Sequence, residues 1–151
     1  MPHQRISDRL CRLIDNAVAP TGLEALSAIG VRVGQSGYIP DITVSVAQDG
    51  TSVSSDDVEL IVEVLSPSTA NIDRLEKPAA YAVAGIPVYW LVEVPKQGFP
   101  VVRCTVLDAG VYVETAAASS GNPAELVVTG DIAVKVDVDT LFAPRRQPGT
   151  V

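Results

Sequence analysis

The chain has 151 residues and a mass of 15.8 kDa, enough for one core that buries about 68% of the unfolded surface and too short for two comfortable domains. Apolar residues make up 47% and charged residues 19%, which excludes a disordered chain. Eleven Lys and Arg against eighteen Asp and Glu leave a formal charge of −7, which favours solubility and argues against a mainly electrostatic grip on nucleic acid.

A first helix is expected over residues 4–18, where Ile6, Leu10, Leu13, Ile14 and Ala17 fall in one arc at 100° per residue. Arg5, Arg9 and Arg12 form a flanking stripe. As a solvated helix face it needs no further explanation; as a phosphate-contacting edge it needs an active cleft nearby. Pro20, Gly22 and Gly30 punctuate the connection to the first strand. Residues 31–35 and 42–46 are short β-branched runs, and 48–57, rich in Ser, Asp and Gly, reads as an exposed loop. Residues 58–65 are almost continuously apolar, the pattern of a central strand covered on both faces. Glu59 and Glu63 interrupt that run. A buried glutamate is costly unless it is paired, protonated or bound to a metal.

Ser66-Pro67-Ser68-Thr69 ends this strand, and Ser68 or Thr69 can cap the next element. A helix over 70–84 should stop at Gly85, with Pro78 either kinking it or confining its regular part to the residues after Lys77. Residues 88–94 form the next strand and 95–100 a turn. Residues 101–107 and 111–115 read as a hairpin around Asp108-Ala109-Gly110, 116–123 as a small-residue loop, and 125–128 with 132–138 as the last strands. The sum is a single α/β domain over residues 1–151: a mixed central β-sheet with an N-terminal helix and one internal helix.

Cys11 and Cys104 have no neighbours at metal-ligand spacing, and one potential pair is no disulfide framework. The single histidine, His3, excludes a His-rich zinc site. The longest apolar runs, such as 86–92, fall far short of a membrane span, and the N-terminus lacks the pattern of a signal peptide. A reducing, cytoplasmic setting is the expectation.

Three residues stand out together. Asp41 follows Pro40 at the mouth of a strand, Glu63 lies inside the next long strand, and Lys77 comes 14 residues later on the following helix. If the two strands are neighbours, the carboxylates can share one divalent cation, and Mg²⁺ suits such oxygen ligands. The cation would activate water and neutralise charge on a phosphodiester, while a lysine beside it orients the nucleophile or stabilises the transition state.

Ile39-Pro40-Asp41, the run Val62-Glu63-Val64-Leu65-Ser66-Pro67-Ser68-Thr69, then Asp73, Lys77, Tyr81, Gly85-Ile86-Pro87 and Tyr89-Trp90-Leu91-Val92 resemble the Uma2 family (also called DUF820), bacterial restriction-endonuclease-like proteins. His3-Gln4-Arg5-Ile6 leading into a helix fits as well, so the resemblance covers most of the chain. It implies a restriction-endonuclease-like PD-(D/E)XK core in which Asp41 is the proline–aspartate acid and Glu63 the second metal ligand. Leu65 stands where such sites usually carry a lysine, two positions after the second acid. The resemblance implies that this lysine has moved to the next helix, here Lys77. The implied function is an Mg²⁺- or Mn²⁺-dependent endonuclease hydrolysing DNA phosphodiester bonds. The sequence departs from the family in two places. It starts almost at the first helix, with Met1-Pro2-His3, where members usually carry a short β-hairpin, and Pro78 directly follows Lys77.

Each residue also has an ordinary reading. Asp41 can hydrogen-bond a turn. Lys77 can pair with Glu63, or with Asp73 one helical turn away. Tyr81 can fill a core gap with its hydroxyl at the rim. His3 falls on the apolar side of the first helix if that helix extends so far, which points it toward the cleft, whereas a lone terminal histidine is more often incidental. Tyr89 and Trp90 alternate on a strand, and core packing accounts for one of them.

Two classes of function follow. One is the metal-dependent nuclease. The other is a catalytically weak or inactive protein of the same fold acting as a homo-oligomeric binding or regulatory module, favoured by the −7 charge and the displaced lysine. In either case a homodimer is expected, since an acidic small domain with open strand edges gains a partner surface by dimerising. No Gly-rich phosphate loop, Gly-x-Ser-x-Gly elbow or Cys–His pair supports other chemistry.

Overall fold

The structure of the protein is a computed structural model describing residues 3–47, 50–66 and 70–144, with side chains throughout except at 70–75. Helix α1 (His3–Val18) and a short 3₁₀ turn lead into strands β1 (Leu23–Ser27), β2 (Gly30–Val33), β3 (Ser36–Tyr38), β4 (Ile42–Val46) and β5 (Ser52–Ser54). After a second 3₁₀ turn come β6 (Val58–Leu65), α2 (Ala70–Val83), β7 (Val88–Glu93), β8 (Val101–Asp108), β9 (Val111–Ala118), β10 (Ala124–Thr129), β11 (Ile132–Val136) and a single-turn helix α3 (Val138–Leu141). The main sheet has six strands in the order β1-β4-β6-β7-β8-β9, with only the β6–β7 pair parallel. That pair is joined by α2, the long crossover that parallel neighbours require. A three-stranded sheet β3-β2-β5 and a two-stranded sheet β10-β11 complete the β structure.

The central strand β6 is buried on both faces, as its apolar run requires, and its side chains alternate between two cores. Leu60, Val62 and Val64 join Ile42, Val44, Trp90 and Val92 in a core closed by Ile6, Leu10, Ile14 and Val18 of α1 and by the β10–β11 hairpin. These α1 residues are four apart, so one stripe of the helix meets the sheet. Ile61 points the other way, to Val31, Val53, Tyr81, Ile86 and Tyr89, where α2 and the three-stranded sheet cover the opposite face. Each fully buried aliphatic side chain contributes about 1.5–3 kcal/mol. Helix α2 ends in a Schellman motif: Ile86 N–H donates to Tyr81 O (3.2 Å) and Gly85 N–H to Ala82 O (3.0 Å), with Gly85 at φ +82°. Among the described residues no helix is long and apolar enough to cross a membrane.

Several elements differ from the sequence reading. The connection to the first strand contains β1, an edge strand whose Leu-Glu-Ala-Leu-Ser composition carries no β signal but whose backbone pairs with β4. The polar loop over 48–57 holds β5, which pairs parallel with β2 through three residues. Strand β9 runs on to Ala118, because a bulge between Cys104 and Thr105 restores pairing beyond Thr115. The last strand stops at Val136, and Val138 instead opens α3, whose N-cap Asp137 accepts from Thr140 N–H. Helix α2 agrees with the 70–84 reading, running from Ala70 to Val83 with Pro78 inside it, so its regular part is not confined to the residues after Lys77. Arg9 leaves the presumed stripe: its Nη1 donates to Leu141 O (3.0 Å) and Ala143 O (2.8 Å), capping the carbonyl end of α3. Ser68 and Thr69, the expected caps, lie outside the described residues. Both Tyr89 and Trp90 are buried, on opposite faces of the sheet. Cys11 and Cys104 are free thiols, each with its pKa raised by burial.

Trp90 fastens the C-terminal hairpin to the sheet, its Nε1–H donating to Val127 O at 2.8 Å. Trp90→Phe should lower the unfolding free energy by about 1 kcal/mol through the lost hydrogen bond, since the weaker Cys104 Sγ contact to the same carbonyl (3.6 Å) remains, read from urea unfolding followed by circular dichroism. A change below a few tenths of a kcal/mol would show that the hairpin is held elsewhere.

Candidate active site

Strand β4 begins at Ile42, opposite Val62 of β6, so Asp41 stands one residue beyond the ladder at the level of Glu63. Beyond that point the backbone of β6 has lost its β-partner on this side, and side chains take over. Asp41 Oδ2 accepts the Val64 N–H at 2.7 Å, and His3 Nε2 lies 2.9 Å from Val64 O. The second Asp41 oxygen, Oδ1, lies 3.4 Å from the same His3 nitrogen. Asp41 is fixed from behind as well, its carbonyl accepting the N–H of Ala28 (3.2 Å), a non-glycine residue held at φ +52°. Holding alanine in the left-handed region costs on the order of 1 kcal/mol.

Glu63 is 2% exposed, the one charged side chain buried among the described residues. Its Oε2 lies 3.2 Å from Lys77 Nζ, and its Oε1 accepts from Tyr81 Oη at 3.2 Å. Lys77 and Tyr81 are one turn apart on α2, so a single helical face brings both donors to the carboxylate. The Lys77 side chain keeps 27% of its surface accessible, so the ammonium stands at the boundary between core and solvent. Thr43, across from Ile61, has a buried hydroxyl with no hydrogen-bond partner among the described residues.

The structure therefore unites Glu63 with Lys77 and sets Asp41 on the adjoining strand end. The Asp73 side chain lies outside the described residues. Tyr81 does not end at a rim; it is fully buried, and its hydroxyl serves Glu63. Burial, followed by the charge of Glu63, pushes its pKa well above the usual tyrosine value. It is also the second ring in a series of four: Tyr38–Tyr81 centroids are 5.4 Å apart, Tyr81–Tyr89 5.9 Å and Tyr89–Tyr112 5.4 Å. Tyr112 donates its hydroxyl proton to Ile86 O (2.7 Å), and burial raises its pKa too. Only the i,i+4 spacing of Lys77 and Tyr81 hinted at this arrangement in the sequence. Among the described residues no three His, Cys, Asp or Glu side chains form a ready-made metal cluster.

A family model described as "Putative restriction endonuclease", Uma2, matches residues 1–136. Among solved structures, a protein from Anabaena variabilis ATCC 29413, titled a putative nuclease belonging to DUF820, superposes with a TM-score of 0.66 at 16% identity. The match covers 95% of this chain and 83% of that one. The likeness shows a shared fold, a mixed central sheet with an N-terminal helix. No curated protein matches the chain.

Tyr81→Phe should lower stability at neutral pH by about 1–3 kcal/mol, because Glu63 loses a buried donor. The raised tyrosine pKa also sets a sign at alkaline pH. Above about pH 10 the unfolded chain releases phenolic protons that native Tyr81 and Tyr112 retain, so stability falls as pH rises. Urea midpoints should therefore drop between pH 8 and about pH 10.5, and drop less in Tyr81→Phe. An identical pH dependence in the two proteins would contradict this role.

Proposed function

The chain belongs to the Uma2 family, and on that premise we propose that it is a divalent-metal-dependent endonuclease hydrolysing DNA phosphodiester bonds. The observation that carries this reading is Glu63: a carboxylate 2% exposed in the central strand, beside the lysine of the next helix and level with an aspartate on the adjoining strand. The donor chemistry fits Mg²⁺ or Mn²⁺. Asp41, Glu63 and the Val64 carbonyl offer oxygen ligands of the hard type such ions prefer, on a rigid sheet rather than a loop. When bound, the cation supplies positive charge and Lewis acidity to a phosphodiester.

The chain's own groups have separate tasks in this reading. Asp41, locked by Val64 N–H, and Glu63, locked by Tyr81, present carboxylate oxygens in fixed directions. Lys77, partly accessible, orients the attacking water or meets charge building on the phosphate oxygens. Tyr81 and its neighbouring rings keep water from behind Glu63. A homodimer belongs to the same proposal, and β9, which ends the main sheet and exposes Val111 and Val113, is the edge available to a second copy. A reducing, cytoplasmic setting is part of the same proposal.

A second reading is favoured by the fact that both oxygens of Glu63 already have protein partners. A nuclease-fold binding module would use Lys77 purely as a counter-charge. Lys77→Met separates the two. For the nuclease, the variant melts lower without metal, recovers part of the loss in excess Mn²⁺, and loses about 10²–10³-fold in DNA cleavage. Melting curves beside cleavage of plasmid and single-stranded DNA in Mg²⁺ and Mn²⁺ check this. A wild-type protein that cleaves neither substrate, with a variant that metal does not rescue, would establish the module instead.

A further inference from the structure

We propose that His3 joins Asp41 and the Val64 carbonyl as a ligand of the cation site and biases it toward Mn²⁺ over Mg²⁺, an inference that rests on the metal-dependent reading above. His3 is the first residue of α1 and lies seven positions before Leu10, on the stripe that packs against the sheet. The docking of α1 therefore carries its imidazole to the open end of β6. There one nitrogen, Nε2, lies 2.9 Å from Val64 O and 3.4 Å from Asp41 Oδ1. Asp41 Oδ2 is already engaged by Val64 N–H, so Oδ1 is the oxygen left for another partner. A carboxylate oxygen and a main-chain carbonyl oxygen thus converge on a single nitrogen. Cations are held by such pairs of oxygens. Adjacent ligands of a six-coordinate ion with bonds near 2.1 Å lie about 3 Å apart, close to both separations.

With no cation, Nε2 carries the proton, because a carbonyl oxygen can only accept. Ligation needs the Nε2 lone pair instead. A shift of the proton from Nε2 to Nδ1 supplies it with the imidazole still neutral, so no proton is gained or lost overall. An imidazole nitrogen strengthens binding of transition ions far more than of Mg²⁺, which prefers oxygen. The consequence is a preference between metals set by the first turn of α1.

The chain has one histidine, which makes the test direct. Untagged full-length protein is loaded with Mn²⁺ and examined by pulsed EPR for imidazole nitrogen coupling, which only His3 can supply. Calorimetric titrations with Mn²⁺ and with Mg²⁺ then compare wild type, His3→Ala and Glu63→Gln. The expected result is nitrogen coupling in the wild type and a loss of about tenfold or more in Mn²⁺ affinity in His3→Ala, with Mg²⁺ affinity changed far less. Absence of nitrogen coupling, an unchanged Mn²⁺/Mg²⁺ ratio, or tighter binding of both ions in His3→Ala overturns the proposal. If Glu63→Gln abolishes binding while His3→Ala matches wild type, only the role of His3 falls. If wild type binds neither ion, the metal-dependent reading falls with it.

Discussion

A carboxylate cannot be placed in the middle of a buried strand without something to answer its charge, and in this protein that requirement organises the molecule around Glu63. The strand that carries it has apolar neighbours on both faces, so water cannot serve. The compensation comes from α2, the crossover that leads to the parallel neighbour, through Lys77 and Tyr81 on one helical face. Removing one partner of a buried pair typically costs about 3–5 kcal/mol. An apolar residue in place of Glu63 would pack without any such demand, and that is the physical argument for a chemical rather than a structural purpose.

A second constraint acts where β4 ends. Strand β6 continues past Ile42, and its Val64 N–H and C=O would stand without partners there. Asp41 and His3 occupy those two groups with side chains instead of backbone. The result is a strand end furnished with a carboxylate and an imidazole beside the buried glutamate. The same break in pairing that ends the sheet creates the candidate site. Helix α1 contributes by its position as much as by its core residues, since its apolar stripe fixes where His3 lands.

The residues that define the site were legible in the sequence to the extent that they break a pattern. Glu63 interrupts an apolar run, Asp41 follows a proline before a β-branched run, and Gly85 closes a helix. The spacing of Lys77 and Tyr81 on one helix face is a local property and could be read directly. The role of Tyr81 could not, because it depends on which face of β6 receives α2. His3 pointed either to the cleft or nowhere in particular until the docking of α1 was known. Among the elements, β1 and β5 carry no legible sequence pattern because their pairing is set by neighbouring strands rather than by their own side chains. The β-branched Val138 extends the strand pattern in sequence, whereas in the structure the N-cap at Asp137 opens a helix there.

These observations support one proposal: that the end of β6 is a cation site in which Lys77 and Tyr81 steady Glu63. The most direct measurement is a crystal structure of the protein loaded with Mn²⁺, with the ion located by its anomalous scattering. The account predicts a peak bonded to oxygens of both Asp41 and Glu63, with Tyr81 still on Glu63 Oε1. A peak elsewhere on the acidic surface, with Glu63 still held by Lys77 and Tyr81 alone, would contradict it.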